Sequence, residues 1–126
     1  MSCSTARRCW ALVQAGPFNP MAWTIETIDG GATWIRRSAT QVAESGSLAC
    51  SATACVAALV SGGPADDEAL VTTQLLRFPS GGGPFETVSL PAQAANEASS
   101  TVVPGTSRFL AAGSDALNGP LVVASP

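Results

Sequence analysis

The side chains that most often carry out catalysis are scarce in this sequence. Its 126 residues include no His and no Tyr, and all six of its basic residues are Arg. A Ser–His or Cys–His nucleophile, an imidazole metal site and a Schiff-base lysine are therefore excluded. A net charge of −3 argues against a nucleic-acid partner, because phosphate binding depends on clustered Lys and Arg. We expect no cofactor and no metal.

Four cysteines form two close pairs, Cys3 with Cys9 and Cys50 with Cys55. Their spacings, C-x5-C and C-x4-C, differ from the C-x2-C spacing of structural zinc sites and redox centres. We predict two local disulfides, each joining neighbouring antiparallel strands. A four-thiolate zinc site and four buried, reduced thiols are the alternatives. Disulfides would indicate an extracellular or cell-envelope protein. Because no signal peptide precedes Cys3, the chain reads as part of a longer or processed protein.

The cysteine pairs belong to a sequence repeat. Residues 3–13 return at 50–60 with one residue deleted between the cysteines, and a weaker copy without cysteines stands at 108–113. Residues 27–34 return at 78–85, in the same order along the chain. Self-similarity at a fixed period is the signature of a repeat architecture. We therefore expect a single domain, 1–126, with blade-like units at about 1–46, 47–98 and 99–126.

The segments between the turns have the composition of short strands, with aromatic and β-branched residues bounded by Gly, Pro or Asn. Residues 70–78 also have features of a helix, but their position in the repeat favours a strand. Residues 92–100 fit either a short helix or a plain loop. The predicted strands are 10–14, 23–28, 34–38, 55–61, 70–78, 85–90, 109–112 and 121–124.

Four short strands in each unit of about 47–50 residues are typical of a β-propeller blade. We predict an all-β fold with about two four-stranded antiparallel blades and part of a third. A closed propeller has roughly four to eight blades, so this chain would be an incomplete propeller. The remaining blades or self-association would complete it, because unpaired outer faces and edges favour aggregation. No apolar run approaches the roughly 20 residues of a membrane span.

Residues 27–34 match the pattern S/T-x-D-x-G-x-T-W completely. Within this segment the Asp29 carboxylate is suited to accept hydrogen bonds from nearby backbone N–H groups, and Gly30 and Gly31 can adopt positive φ. Thr33 adds a hydroxyl, and Trp34 adds a large apolar surface to pack beside its neighbours. The pattern resembles the Asp box, or bacterial neuraminidase repeat. Its structural turn residues would be Thr27, Asp29, Gly31, Thr33 and Trp34.

The second copy of the motif has diverged, since Ser80, Pro84 and Phe85 stand where the first copy has Asp, Thr and Trp. Together with the cysteine element, the motif resembles exported bacterial propellers of the sialidase-like and photosystem II assembly factor-like kinds. The resemblance covers residues 1–90 well and 99–126 weakly. In such proteins the Asp box is structural, whereas sialidases use a tyrosine nucleophile, an acidic partner and three arginines.

This chain lacks that tyrosine, and nothing in its spacing brings three arginines together. Arg36 and Arg37 are adjacent on a predicted strand, so their side chains should point to opposite faces. We expect the arginines to be solvated and the tryptophans to lie in the core. We also expect the acidic triplet to form a solvated loop. The arginines are Arg7, Arg8, Arg36, Arg37, Arg77 and Arg108, and the tryptophans are Trp10, Trp23 and Trp34. The acidic triplet is Asp66, Asp67 and Glu68.

The function predicted on this basis is a non-catalytic scaffold or binding surface in an exported bacterial protein, with a protein or a carbohydrate as its partner. One alternative is a fragment of a sialidase-like glycoside hydrolase whose catalytic residues lie outside this chain. A second alternative is a protein-assembly factor.

Overall fold

The computed structural model describes residues 1–16, 20–38, 41–43, 45–61, 72–88, 97–102, 109–115 and 119–124. These residues form strands and connecting turns with no helix, which confirms the predicted all-β class. The strands are β1 (Ser2–Cys3), β2 (Cys9–Ala15), β3 (Met21–Thr27), β4 (Ile35–Arg36), β5 (Gln41–Val42), β6 (Ser45–Cys50), β7 (Ala54–Ser61), β8 (Thr72–Pro79), β9 (Glu86–Val88), β10 (Glu97–Val102), β11 (Phe109–Asp115) and β12 (Gly119–Ala124).

The strands form three antiparallel sheets that follow the order of the chain. The first sheet has the order β1-β2-β3-β4, with β5 also pairing with β3. The second sheet has the order β6-β7-β8-β9, and the third has the order β10-β11-β12. Consecutive strands are antiparallel neighbours in each sheet, except that β5 pairs with β3 instead of β4.

Equivalent residues of the first two sheets have the same strand register. The disulfide pairs occupy matching positions, and so do the residues that begin and end the motif hairpins. Because a slip by one residue would turn every side chain to the opposite face, equal register means that equivalent residues lie on equivalent faces. The matching pairs are Cys3↔Cys9 with Cys50↔Cys55, Cys9↔Thr27 with Cys55↔Phe78, and Glu26↔Ile35 with Arg77↔Glu86.

Both predicted disulfides are present, with Cα–Cα separations of 3.9 Å for Cys3–Cys9 and 4.0 Å for Cys50–Cys55. All four cysteines are therefore accounted for. Each bridge links two directly opposed residues on neighbouring strands. Such bonds persist in an oxidising environment, so they are consistent with an extracellular protein.

The strand predictions were accurate in the centres of the elements and less so at their ends. The segment predicted at 34–38 forms a ladder only at Ile35–Arg36. Residues 97–100, predicted as helix or loop, instead belong to β10, because they pair along β11; residues 92–96 lie outside the described residues. The sequence analysis missed β6, whose Ser- and Gly-rich sequence has low intrinsic β-propensity.

The core lies between the facing surfaces of the first and second sheets. The Trp10 ring centroid lies 4.6 Å from that of Phe78, which in turn lies 4.5 Å from that of Phe85. Val56, Ala58 and Leu75 form a further buried cluster on the opposite face of the second sheet. The main cluster contains Trp10, Ala22, Ala43, Cys55, Ala57, Leu59, Leu76 and Phe78.

Candidate functional site

The hairpin between β3 and β4 is organised around the Asp29 carboxylate. Its Oδ1 accepts hydrogen bonds from the Thr33 backbone N–H (2.9 Å) and the Thr27 hydroxyl (2.7 Å), and its Oδ2 accepts one from the Thr33 hydroxyl (2.6 Å). Gly30 and Gly31 have φ values of 78° and 101°, which an L side chain rarely adopts. The hydrogen bonds from Thr33 and Thr27 hold the pKa of Asp29 well below its ordinary value.

The Asp29 hairpin is tied to the loop closed by the first disulfide, because the Gly30 N–H donates to the Arg7 carbonyl (2.9 Å). The hairpin therefore uses its carboxylate to hold its own backbone. A carboxylate engaged in this way has a structural role, and it is poorly placed to transfer protons in a reaction.

The second motif hairpin is held by a different set of hydrogen bonds. The buried Ser80 donates its hydroxyl to the Ala52 carbonyl (2.7 Å) and its backbone N–H to the Thr53 carbonyl (3.1 Å). Positive φ falls on Gly82 and Gly83, one position later than the alignment with the first copy predicts. A hydroxyl bonded to the neighbouring loop thus occupies the place of the first copy's carboxylate.

The aromatic residues that end the two motifs have different environments. Phe85 packs against Phe78 and lies edge-on to Trp10, whereas Trp34 is 38% exposed. The expectation that Trp34 lies in the core is therefore wrong, although Trp10 is buried as predicted. The reason is that the first sheet, through Trp10, covers the side of the second sheet on which Phe85 lies. Among the described residues, no sheet covers the equivalent side of the first sheet, where Trp34 would be buried in the same way.

The most buried charged group among the described residues is the Glu26 carboxylate in the centre of β3, with a side chain only 2% exposed. Its Oε1 lies 3.0 Å from Arg8 Nε, and its Oε2 accepts a 2.7 Å hydrogen bond from Arg37 Nε. A buried carboxylate is costly unless it is paired with a cation. Arg8 and Arg37 supply two such cations; their side chains stay 36% and 43% exposed, as expected of solvated arginines, but each is also paired with Glu26.

Sequence reasoning missed this cluster because it depends on strand register. Glu26 pairs with Trp10, so Arg8, just before β2, reaches Glu26 diagonally. Glu26 also pairs with Ile35, which places Arg37 two residues further along on the same face. The alternation in the sequence gave no signal for it, because the large apolar residues Met21, Trp23 and Ile25 are out of phase with Glu26, whereas the structure buries Ala22 and Thr24 on the same face as Glu26.

Arg36 and Arg37 point to opposite faces of the first sheet, as predicted. Arg37 reaches Glu26 on the face that meets the second sheet, while the Arg36 guanidinium carbon lies 5.0 Å from the Trp23 ring centroid on the other face. The half-buried Trp23 thus has a cation over its ring. We call this second surface the outer face of the first sheet; its members are Val13, Trp23, Ile25 and Arg36.

A groove of about 270 Å³ lies where the loop of the first disulfide meets the second motif hairpin. It contains hydroxyl groups and two arginines but no carboxylate, imidazole or thiol that could act as base or nucleophile. Asp66, Asp67, Glu68 and Arg108 lie outside the described residues. The groove is lined by Ser4, Thr5, Arg7, Arg8, Ile28, Ala52, Ser80 and Gly81.

The carboxylates of the described side chains do not form a catalytic pair. Glu26 is held between two arginines and Asp29 is bonded within its turn, and Glu86 lies on the second sheet. No group of three potential metal ligands occurs among the described residues. That part of the chain also contains no helix able to cross a bilayer.

Comparison with protein-family models finds no family that matches this chain, and comparisons with characterised proteins and with solved structures find no match either. The Asp-box resemblance therefore stays a prediction. The observed features that define the molecule are three consecutive antiparallel sheets, two local disulfides and a hairpin built on Asp29.

Proposed function

We propose that this chain is a non-catalytic repeat segment of an Asp-box β-propeller, serving as a scaffold or binding surface in an exported bacterial protein. The observation that carries the proposal is that the first strand of each later sheet packs against the first two strands of the sheet before it. The first strand of the second sheet, β6, lies against β1 and β2, and the first strand of the third sheet, β10, lies against β6 and β7. A propeller is built from blades that repeat one such relation.

The outer face of the first sheet supports the same proposal. Val13 and Ile25 on that face are only half-buried, whereas their equivalents in the second sheet, Leu59 and Leu76, are buried against the first sheet. Together with the exposed Trp34, these side chains make a partly apolar surface where a preceding blade would pack. The proposal thus explains why an apolar surface and an exposed tryptophan occur together.

The ion pairs that Arg8 and Arg37 make with Glu26 argue against a catalytic role for these two arginines. A sialidase-like site needs arginines that are free to bind a substrate carboxylate, but Arg8 and Arg37 both pair with Glu26. The chain also has no tyrosine to act as the nucleophile. Export is supported by the two disulfides.

An activity assay tests the non-catalytic part of the proposal. The purified chain would be incubated with fluorogenic sialosides and with a panel of other glycosides, and an active sialidase would serve as the positive control. We expect no turnover above buffer. Clear turnover by the purified chain would overturn the proposal and favour the glycoside hydrolase alternative.

The scaffold part is tested by whether a further blade covers the exposed Trp34. We expect Trp34 to be readily quenched by acrylamide in the isolated chain and shielded when the chain is joined to a preceding blade of the same repeat. The matched control is the Trp34→Phe variant, which keeps Trp10 and Trp23; the difference in quenching between it and the wild type isolates the signal of Trp34. Equal quenching of Trp34 with and without the added blade would contradict the proposal.

A further inference from the structure

The groove between the loop of the first disulfide and the second motif hairpin is positively charged. Arg7 and Arg8 line it, and none of its lining residues is acidic. The other lining residues are uncharged, and one of them, Ile28, has a large aliphatic side chain that is 51% exposed. A local positive charge thus lies beside an exposed apolar group, although the chain as a whole has a net charge of −3.

The Arg8 guanidinium lies between the buried Glu26 carboxylate and the groove. Its Nε is 3.0 Å from Glu26 Oε1, and its Nη1 would lie 3.5 Å from a Cβ placed on Gly81 in the second motif hairpin. The ion pair engages the Nε, whereas a guanidinium has five N–H donors. Because Glu26 also binds Arg37, the two arginines and one carboxylate have a net charge of +1. Arg8 therefore keeps donors and positive charge for the groove.

Arg7 adds a second cation on a fixed backbone. Its carbonyl accepts the Gly30 N–H at 2.9 Å, and the Thr5 hydroxyl oxygen accepts the backbone N–H groups of Arg7 (3.4 Å) and Arg8 (3.0 Å). The Arg7 guanidinium itself is exposed and makes no ion pair or hydrogen bond with the residues that the structure describes. Its charge is therefore available to a ligand.

The second repeat unit shows that a disulfide-closed loop of this kind folds without arginine. Residues 50–55 form the equivalent loop, and Thr53 and Ala54 precede its second cysteine where the first unit has two arginines. Arg8 is accounted for by its ion pair. No contact within the described part of the chain accounts in the same way for Arg7, so its position at the groove indicates a role in binding.

The charge of the groove suits a phosphate group better than a carboxylate. Guanidinium groups bind both kinds of oxyanion through charge-assisted N–H donors. A phosphate monoester offers three terminal oxygens and a charge of roughly −1.5 to −2 at pH 7, whereas a carboxylate has two oxygens and a single charge. Arg7 and the ion-pair cluster around Glu26 together carry a net charge of +2. The Asp29 carboxylate of the adjoining hairpin does not line the groove and accepts hydrogen bonds within its own turn.

We propose that this groove binds the phosphate group of a small phosphate monoester. The guanidinium groups of Arg7 and Arg8 bind the phosphate oxygens, and the organic part of the ester lies against Ile28. The volume of about 270 Å³ is just below the roughly 300–1,000 Å³ of pockets for drug-sized ligands, so the ligand is small. The site goes beyond the scaffold function and does not require the propeller arrangement, so its failure would leave the proposed function standing.

Titration of the full chain with phenyl phosphate, followed by NMR of the backbone amides at constant ionic strength, tests the site. We expect the amides of Thr5, Arg7, Arg8 and Gly81 to shift together. Benzoate, the matched carboxylate, should bind at least about tenfold more weakly, because it offers fewer oxygens and less charge. Equal binding of the two would overturn the assigned phosphate chemistry. Inorganic phosphate that binds as tightly as phenyl phosphate would overturn the assigned ester and identify a site for the free ion.

Two charge-removing variants separate the groove from the net charge of the chain. Arg7→Gln should weaken phenyl phosphate binding at least about tenfold, because hydrogen bonds between charged groups are lost. Arg77→Gln removes the same charge from the second sheet, outside the groove, and should change the affinity less than about twofold, since distant exposed charges are screened. Equal weakening by both variants would overturn the proposal.

A further pair of variants acts from the other side of the groove. Gly81 has room for a side chain, because its Cβ would meet only Arg8 Nη1, at 3.5 Å. In Gly81→Asp the new carboxylate should pair with Arg8 and weaken phenyl phosphate binding at least about tenfold. The uncharged Gly81→Asn, of nearly the same size, should weaken it less than about threefold. Binding that is unchanged in Gly81→Asp would overturn the proposal.

Discussion

The Trp10 indole N–H donates a hydrogen bond to the Ser80 carbonyl oxygen at 3.1 Å, which joins β2 of the first sheet to the hairpin after β8 of the second. Both residues are buried. The same indole packs against Phe78 and Phe85. One side chain thus connects two repeat units through packing and through a polar contact, so the two sheets share a core.

Replacing the indole tests this connection. Trp10→Phe should destabilise the chain by about 1–3 kcal/mol, because the buried Ser80 carbonyl loses its donor, and Trp10→Ala should cost about 3–5 kcal/mol. Urea denaturation measures both. Trp34→Phe is the matched control and should lie within about 0.5 kcal/mol of the wild type, since Trp34 is partly exposed. Equal effects of Trp10→Phe and Trp34→Phe would contradict this account.

The buried carboxylate gives a second prediction. Glu26→Gln should cost about 1–3 kcal/mol in the free energy of unfolding, because the buried carboxylate loses its charged hydrogen bond and ion pairs, while Arg8 and Arg37 are 36% and 43% exposed and stay solvated. Glu86→Gln is the control, since Glu86 is exposed on the second sheet. If denaturation gave the same midpoint for Glu26→Gln and the wild type, the carboxylate would have no role in stability.

Asp29 predicts a particular dependence of stability on pH. Hydrogen bonds from Thr33 and Thr27 lower the pKa of Asp29 in the folded chain, while the unfolded value is about 3.9. The stabilisation is therefore fully present above about pH 4 and is lost as the pH falls towards the folded pKa. The melting temperatures of wild type and Asp29→Asn should differ by a constant amount above that pH and converge below it. A difference that grew on acidification would be inconsistent with this sign.

The disulfides predict both a thiol count and a stability change. The denatured, unreduced protein should contain no free thiol, and four free thiols would contradict both bridges and the proposed export. The loops are short, with sequence separations of 6 and 5. Replacing one cysteine pair with serines should therefore cost about 2 kcal/mol, less than the roughly 3 kcal/mol of a 15-residue loop. Urea denaturation of the Cys3→Ser, Cys9→Ser double variant measures this cost.

Close packing at Gly46 gives a further prediction. A Cβ on Gly46 would lie 2.6 Å from Leu12 Cδ2 and 2.8 Å from the Ala58 carbonyl oxygen. Because the backbone oxygen cannot move aside easily, Gly46→Ala should cost about 1–3 kcal/mol. Gly81→Ala is the control, since its Cβ would meet only the Arg8 Nη1 at 3.5 Å. A Gly46→Ala variant as stable as Gly81→Ala would indicate that β6 is not packed this closely on β2.

Local features were readable from the sequence because they depend on residues within a few positions of one another. The cysteine pairs, the Asp29 turn and the positive φ of Gly30 and Gly31 belong to this group. The repeat also predicted that residues 70–78 form a strand, and Thr72–Pro79 does so. In these cases the short-range chemistry and the observed structure agree.

Other features were decided by which surfaces meet in the tertiary structure. The sequence by itself determined an all-β chain with two stapled strand pairs and a glycine turn built on Asp29. It did not reveal that Arg8 and Arg37 meet at Glu26, or that Phe85 is covered while Trp34 is exposed. The physical reason is that cross-strand register and sheet-to-sheet packing join residues far apart in the chain. A side chain's burial then depends on its neighbours in space, which no local pattern records.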